Sequence, residues 1–116
     1  MVLRPPRQTS KPPADPLAAA LEHDILNEKV ATLSRLNRKL EQALAQIPGG
    51  DPAADDDGQA RLRKQRIAEA GEAVWHVMIQ RELCGLHQHE KFFIQMNVPR
   101  TVRLCAGPLR ISGTER

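Results

Sequence analysis

The sequence predicts an all-α protein: a long antiparallel helical hairpin of coiled-coil character, capped by two short C-terminal helices. Three observations predict it. Aromatic residues make up 3% of the chain and tyrosine is absent, so a core must come from Leu, Ile, Val, Met and Ala, most of them good helix formers. Two long stretches, Asp15 to Ile47 and Asp57 to Cys84, carry apolar residues at helical spacing. Clusters of Pro, Gly and Asp fall between and after them, where helices would end. At 116 residues the chain makes one domain, spanning 15–106. Between Asp15 and Ala106 there are 26 large apolar residues, enough for a small core but thin for an elongated shape. Self-association is a natural supplement for such a core.

The first fourteen residues include Pro5, Pro6, Pro12 and Pro13 with Arg4, Arg7 and Lys11, and read as a disordered, basic tail. Such a tail can dock onto another domain, but a plain leader is the simpler reading. It lacks the apolar h-region of a signal peptide.

The first helix starts at Asp15, an N-cap acceptor, with Pro16 at the first helical position, and runs to Ile47, where Pro48, Gly49 and Gly50 stop it. Leu26, Val30, Leu33, Leu40, Leu44 and Ile47 follow alternating four- and three-residue steps, a heptad seam into which Asn37 also falls. Asn37 either fixes register against a partner chain or bonds a neighbour within its own hairpin. Leu21, Ile25 and Leu36 lie off the centre of the seam, so one flank should meet something else.

Residues 48–56 form a flexible acidic connection long enough to reverse the chain. Asp55, Asp56 and Asp57 lack the alternating ligand spacing of a calcium loop, and helix capping explains them. The basic cluster of Arg61, Arg63, Lys64 and Arg66 beside them reads as a solvated, partly self-neutralised surface rather than a phosphate site. The second helix covers 57–84 and contains Trp75. Its apolar arc of Ile67, Ala70, Gly71, Val74, Trp75, Val77 and Met78 is wider than a surface helix needs, so it has neighbours on more than one side. Gly85 ends it. A third helix over 86–96 and a fourth over 99–106, separated by an αL stop at Asn97, should fold back over Trp75 and Met78. Residues 107–116 read as a frayed tail.

The net charge of +3 is unevenly placed. Residues 1–14 carry three basic groups, residues 15–86 nine basic against twelve acidic, and residues 87–116 five basic against two acidic. The body is therefore slightly acidic, which argues against a broad nucleic-acid face. Two cysteines, Cys84 and Cys105, make no disulfide framework and read as small buried hydrophobes in a reducing compartment. No apolar run approaches the length that crosses a bilayer, so a soluble, cytoplasmic protein without membrane contact is expected.

Three constellations bear on chemistry. Cys84, His87, His89 and Glu90, with His76 two turns back, contain metal-ligand types without the paired knuckles of a structural zinc site, so no metal or cofactor is expected. No nucleophile, base and orienting acid can be assembled from motif spacing, and no Gly-rich phosphate loop is present, so no enzyme is expected. Phe93 to Leu104, turning at Asn97, Val98 and Pro99, looks like a degenerate helix-turn-helix. It departs from that pattern by having Asn97 where glycine is usual and Thr101 one residue early. In that reading Arg100, Arg103 and Arg110 would contact nucleic acid.

The stretches Leu17 to Lys29, Glu72 to Trp75, Gln80 to Leu86 and Asn97 to Arg100 resemble a family of short bacterial helical proteins of unknown function. That resemblance implies a helical, bacterial, single-domain chain and transfers no site residues. The function expected is a non-catalytic, self-associating or partner-binding module, most simply a homodimer. Its interface would involve Leu21, Ile25, Leu36, Asn37, Ile79 and Leu83. The alternative is a small nucleic-acid-binding protein using the C-terminal arginines.

Overall fold

A computed structural model describes residues 15–107. The fold is all-α, and no strand occurs among the described residues. Helix α1 spans Pro16–Ala45, α2 Asp57–Leu83, α3 Glu90–Gln95 and α4 Arg100–Leu104, with a 3-10 turn at Pro52–Ala54 between the two long helices.

Local chemistry sets the ends. The Asp15 carboxylate accepts from Leu17 N at 3.0 Å, and Pro16 occupies the first turn. At the start of α2, Asp56 and Gln59 form a reciprocal capping box, with bonds of 2.8 and 2.9 Å. Gly85, at φ +88°, closes α2 with the paired bonds Leu86 N to Arg81 O and Gly85 N to Glu82 O. Asn97, at φ +54°, closes α3 the same way, through Val98 N to Phe93 O and Asn97 N to Ile94 O.

Several boundaries differ from the sequence reading. Helix α1 stops at Ala45, because the amides of Gln46 and Ile47 turn back to Ala43 and Leu44 in a tightened last turn. Helix α3 begins at Glu90 rather than at residue 86. Arg81 ties down the intervening non-helical segment by donating to Gln88 O at 2.8 Å and to His89 Nδ1 at 3.0 Å. Helix α4 covers five residues, not eight, with Pro99 as its N-cap and Cys105 as its C-cap.

The connection expected to be flexible is clamped. Asp51 caps the 3-10 turn through Ala53 N at 3.0 Å. Arg63, in the second turn of α2, reaches back to Asp55 with a bidentate pair of 2.7 and 3.2 Å. The same guanidinium donates to the carbonyls of Pro48 and Gly49 at 2.7 and 3.2 Å. Arg63 is therefore a half-buried staple rather than a solvated charge, and Asp55 is its partner rather than a helix cap. The guanidinium beside Asp55 holds its carboxyl below the ordinary 3.8, and the carboxylate raises the Arg63 pKa in return. A depressed carboxyl pKa contributes stability at neutral pH that disappears as pH falls through the folded value. The gap in thermal midpoint between the native chain and Asp55→Asn is thus expected to be open at neutral pH and to narrow below pH 3.8. Melts monitored by circular dichroism across that range check it; a pH-independent gap would mean that the pair contributes nothing as a charge.

The core runs where the four helices meet. Leu40 of α1, Ala70, Val74 and Val77 of α2, Phe92 of α3, and Val98 with Val102 around α4 form one buried cluster. Leu33, Leu36, Ile67, Met78 and Phe93 pack against it. Trp75, expected beneath α3 and α4, is only half-buried and stands outside this cluster, its ring 5.3 Å from that of His76. Helix α4 docks instead over Gly71. A Cβ at that position would come within 2.5 Å of the Cys105 carbonyl oxygen. The cysteines do not behave as buried hydrophobes: Cys84 is half-buried at the α2 C-cap, and Cys105 is exposed.

Candidate functional site: the open face of the hairpin

The hairpin has two sides. Gly71 marks the covered one, since α4 lies on it. Glu69 and Ala73 stand two residues to either side of Gly71, about 200° around the helix, and so face the other way. There they line a shallow groove of about 410 Å³ with Glu72 and His76, opposite Leu36, Lys39, Gln42 and Ala43 of α1 and Gln46 at its C-cap. The floor is small and apolar: Leu36, Ala43 and Ala73 all pack down onto the core cluster.

Helical spacing extends both walls toward the open end. On α1, Ile25, Thr32, Leu36, Lys39 and Ala43 follow heptad-like steps and share one face. On α2, Leu62, Glu69, Glu72, His76, Ile79 and Leu83 do the same. Gln80 fixes the level of the two helices by donating to Lys29 O at 3.1 Å. Along these rows Leu62, Ile79, Leu83 and Ile25 are exposed, and Leu21, 55% exposed, lies one turn further out. Helix α1 also runs past the end of α2. Counted from the Gln80 contact, Leu83 is level with Leu26, so Pro16 to Ile25 overhang by about ten residues or 15 Å.

Of the six interface residues read from the sequence, Leu21, Ile25, Ile79 and Leu83 are exposed apolar side chains on or beside this face. Leu36 is not surplus surface: it is half-buried against the core and serves as groove floor. Asn37, rotated about 100° from Leu36, falls outside the groove, and its buried Oδ1 has no hydrogen-bond partner. Sequence reasoning missed Leu62, Lys39, Glu69 and Glu72. Their signal was present, because each stands at three- or four-residue steps, or sums of them, from a residue that was named.

Electrostatically the two walls differ. Arg35 and Lys39 are exposed on α1, and Arg35 donates to the Thr32 hydroxyl of its own helix at 2.9 Å. Glu69 and Glu72 stand on α2. Arg66 binds Glu69 at 2.9 Å, which with the Gln65 amide holds the Glu69 carboxyl below its ordinary range. Glu72 has no hydrogen bond or ion pair among the described residues.

The other candidates are dispersed. His89 is held between Arg81 Nε, which donates to Nδ1 at 3.0 Å, and the Glu82 carboxylate, 3.1 Å from Nε2. Glu90 faces Arg103 at 3.6 Å, while His87 is exposed and His76 lies in the groove wall. Among the described residues no three His, Cys, Asp or Glu side chains are grouped to hold a metal ion. Two of the arginines of the helix-turn-helix reading, Arg100 and Arg103, are among the described residues and stand three residues apart on α4. Arg100 is exposed at the start of α4, Arg103 stacks over Phe93 at 5.6 Å with a buried, unpartnered Nε, and Arg110 lies outside the described residues. A five-residue helix spans about 7.5 Å, short for a recognition helix in a major groove. Among the described residues no helix is long and apolar enough to cross a membrane.

Comparison with known proteins finds one family, described as a family of unknown function (DUF6665), whose match covers residues 8–114. No curated protein and no solved structure matches the chain.

Proposed function

We propose, for a chain that belongs to the DUF6665 family and inherits no activity from it, a non-catalytic helical module that associates through the open face of its hairpin. The observation that supports this reading is the run of exposed Leu21, Ile25, Leu62, Ile79 and Leu83 along a face that no other element of the chain covers among the described residues. The area is of the right order. From Ile25 to Gln46 the face is about 32 Å long and about 20 Å, or two helices, wide, against the roughly 800 Å² per partner of a standard interface. A second copy is the partner chosen, because a face of this kind on every copy allows a closed two-fold contact.

Light scattering on the tagless full-length chain tests the reading at two protein and two salt concentrations. A salt-tolerant dimer is expected. Ile25→Ser combined with Leu83→Ser should weaken it at least about tenfold in Kd while the helical dichroism is retained, because both side chains are already exposed within one copy. A strictly monomeric, well-folded native chain at high micromolar concentration would overturn the proposal.

A further inference from the structure

We infer that the partner copy docks with its α2 on this chain's α1, about a two-fold axis parallel to the helices, and that the two oppositely charged walls of the groove select this arrangement. The inference rests on the dimer reading above and adds its register and its specificity.

The register follows from levels within one hairpin. Gln80 beside Lys29 puts each α1 residue level with the α2 residue whose number completes the same sum, so Leu36 is level with Ala73. A two-fold axis parallel to the helices preserves levels while exchanging the helices. The α1 row of one copy then meets the α2 row of the other: Ile25 falls within one residue of the level of the second copy's Leu83, and Thr32 within one of its His76. Glu72 of the second copy falls between Arg35 and Lys39, which stand one turn apart. Apolar residues meet at the open end, and opposite charges meet in the middle. Every helix also lies antiparallel to both of its neighbours, which pairs opposite ends of the helix dipoles.

Charge decides against the other two-fold arrangement. With the axis perpendicular to the helices, α1 would lie on α1 and α2 on α2, setting basic wall against basic wall and acidic against acidic. Glu69 is partly neutralised by Arg66, so Glu72 carries most of the acidic wall. Arg35 and Lys39 are exposed, and no ion pair to either occurs among the described residues. Ala43 and Ala73 keep part of the floor small, which admits the facing helices closely beside Leu36.

Charge reversal tests the register on the full chain. Arg35→Glu with Lys39→Glu reverses one wall, and Glu72→Lys the other. Each variant alone is expected to raise the dimer Kd about tenfold, since every dimer contains the altered contact twice. Mixed in equal amounts, the two variants should pair with each other in preference to themselves. Native mass spectrometry distinguishes that heterodimer, whose two contacts are each attractive, from either homodimer. Should Glu72→Lys compromise folding by dichroism, Glu72→Gln removes the charge alone and should weaken the dimer in the same direction by a smaller factor. A native dimer whose constant none of these variants changes, with random pairing in the mixture, would overturn the register while leaving the dimer standing. A monomeric native chain would overturn both.

Discussion

Leu40→Ala is expected to remove about 3 kcal/mol of folding stability, within the range for a buried leucine whose surroundings collapse only partly. Leu40 is fully buried in α1, in the cluster formed by Val74 and Val77 of α2 and Val102 of α4. Truncation there opens a cavity where three helices meet, and none of them can move in without leaving another contact. For a domain of this size the midpoint of thermal unfolding should fall by roughly 12 to 24 °C, at about 4 to 8 °C per kcal/mol. A small domain often has about 5 kcal/mol in total, so about 2 kcal/mol would remain and the unfolded fraction at 25 °C should rise from about 0.02% to about 3%. Leu40→Met, which keeps the volume, should lose less than about 1.5 kcal/mol. A loss under about 1 kcal/mol for the alanine variant, measured by urea unfolding, would mean that α1 is not locked against α2 and α4 at this level.

Gly71→Ala is expected to destabilise the protein although alanine is the better helix former by about 1 kcal/mol. The new Cβ would stand 2.5 Å from the Cys105 carbonyl oxygen, 2.8 Å from its carbon and 2.9 Å from its Cβ. Two of those atoms are backbone, so no rotamer change can relieve the clash. Helix α4 must lift, and Val102, fully buried beneath it, loses part of its burial. Overpacking of this kind costs about 1 to 3 kcal/mol, and here the obstacle is rigid, so a net loss of about 1 to 2 kcal/mol should remain after the gain in helix propensity. Gly58 supplies the contrast. A Cβ there would meet only the Asp56 side chain at 3.6 Å, an ordinary contact, so Gly58→Ala should be neutral or stabilising. Paired urea titrations of the two variants check the sign; a stabilised Gly71→Ala would show that α4 does not sit where the packing places it. Hydrogen exchange should also speed up in α4 before α1 in that variant, because the strain enters at the α2 to α4 contact.

The hairpin and its caps were legible because their signals are local. Asp15 with Pro16, Gly85 and Asn97 act within a few residues through their own backbone bonds, and capping by the Asp55 to Asp57 run is legible as a group, with the Gln59 half of the capping box seen only in the structure. The open face was half legible. Leu21, Ile25, Ile79 and Leu83 declared themselves by apolar character, whereas Lys39, Glu69 and Glu72 look like any solvated charges until α1 and α2 are set side by side. Leu36 proves to be a half-buried part of the groove floor rather than an exposed side chain, a difference that a seam drawn on one helix does not reveal because it does not say where α2 will sit. The Arg63 staple was illegible for the same reason: its acceptors, the Pro48 and Gly49 carbonyls, lie 15 and 14 residues away along the chain.

By itself the sequence determined helix content, the reversal between the long helices and the stop after each of α2 and α3, since capping, propensity and periodicity are properties of neighbours in the chain. Only the tertiary structure decided that α4 makes its close approach at Gly71, with Trp75 one turn away left half-buried outside the core cluster, and that the opposite side of the hairpin stays open. That choice depends on a close approach of two backbones distant in sequence. A missing Cβ permits such an approach, but only packing reveals which chain takes the space.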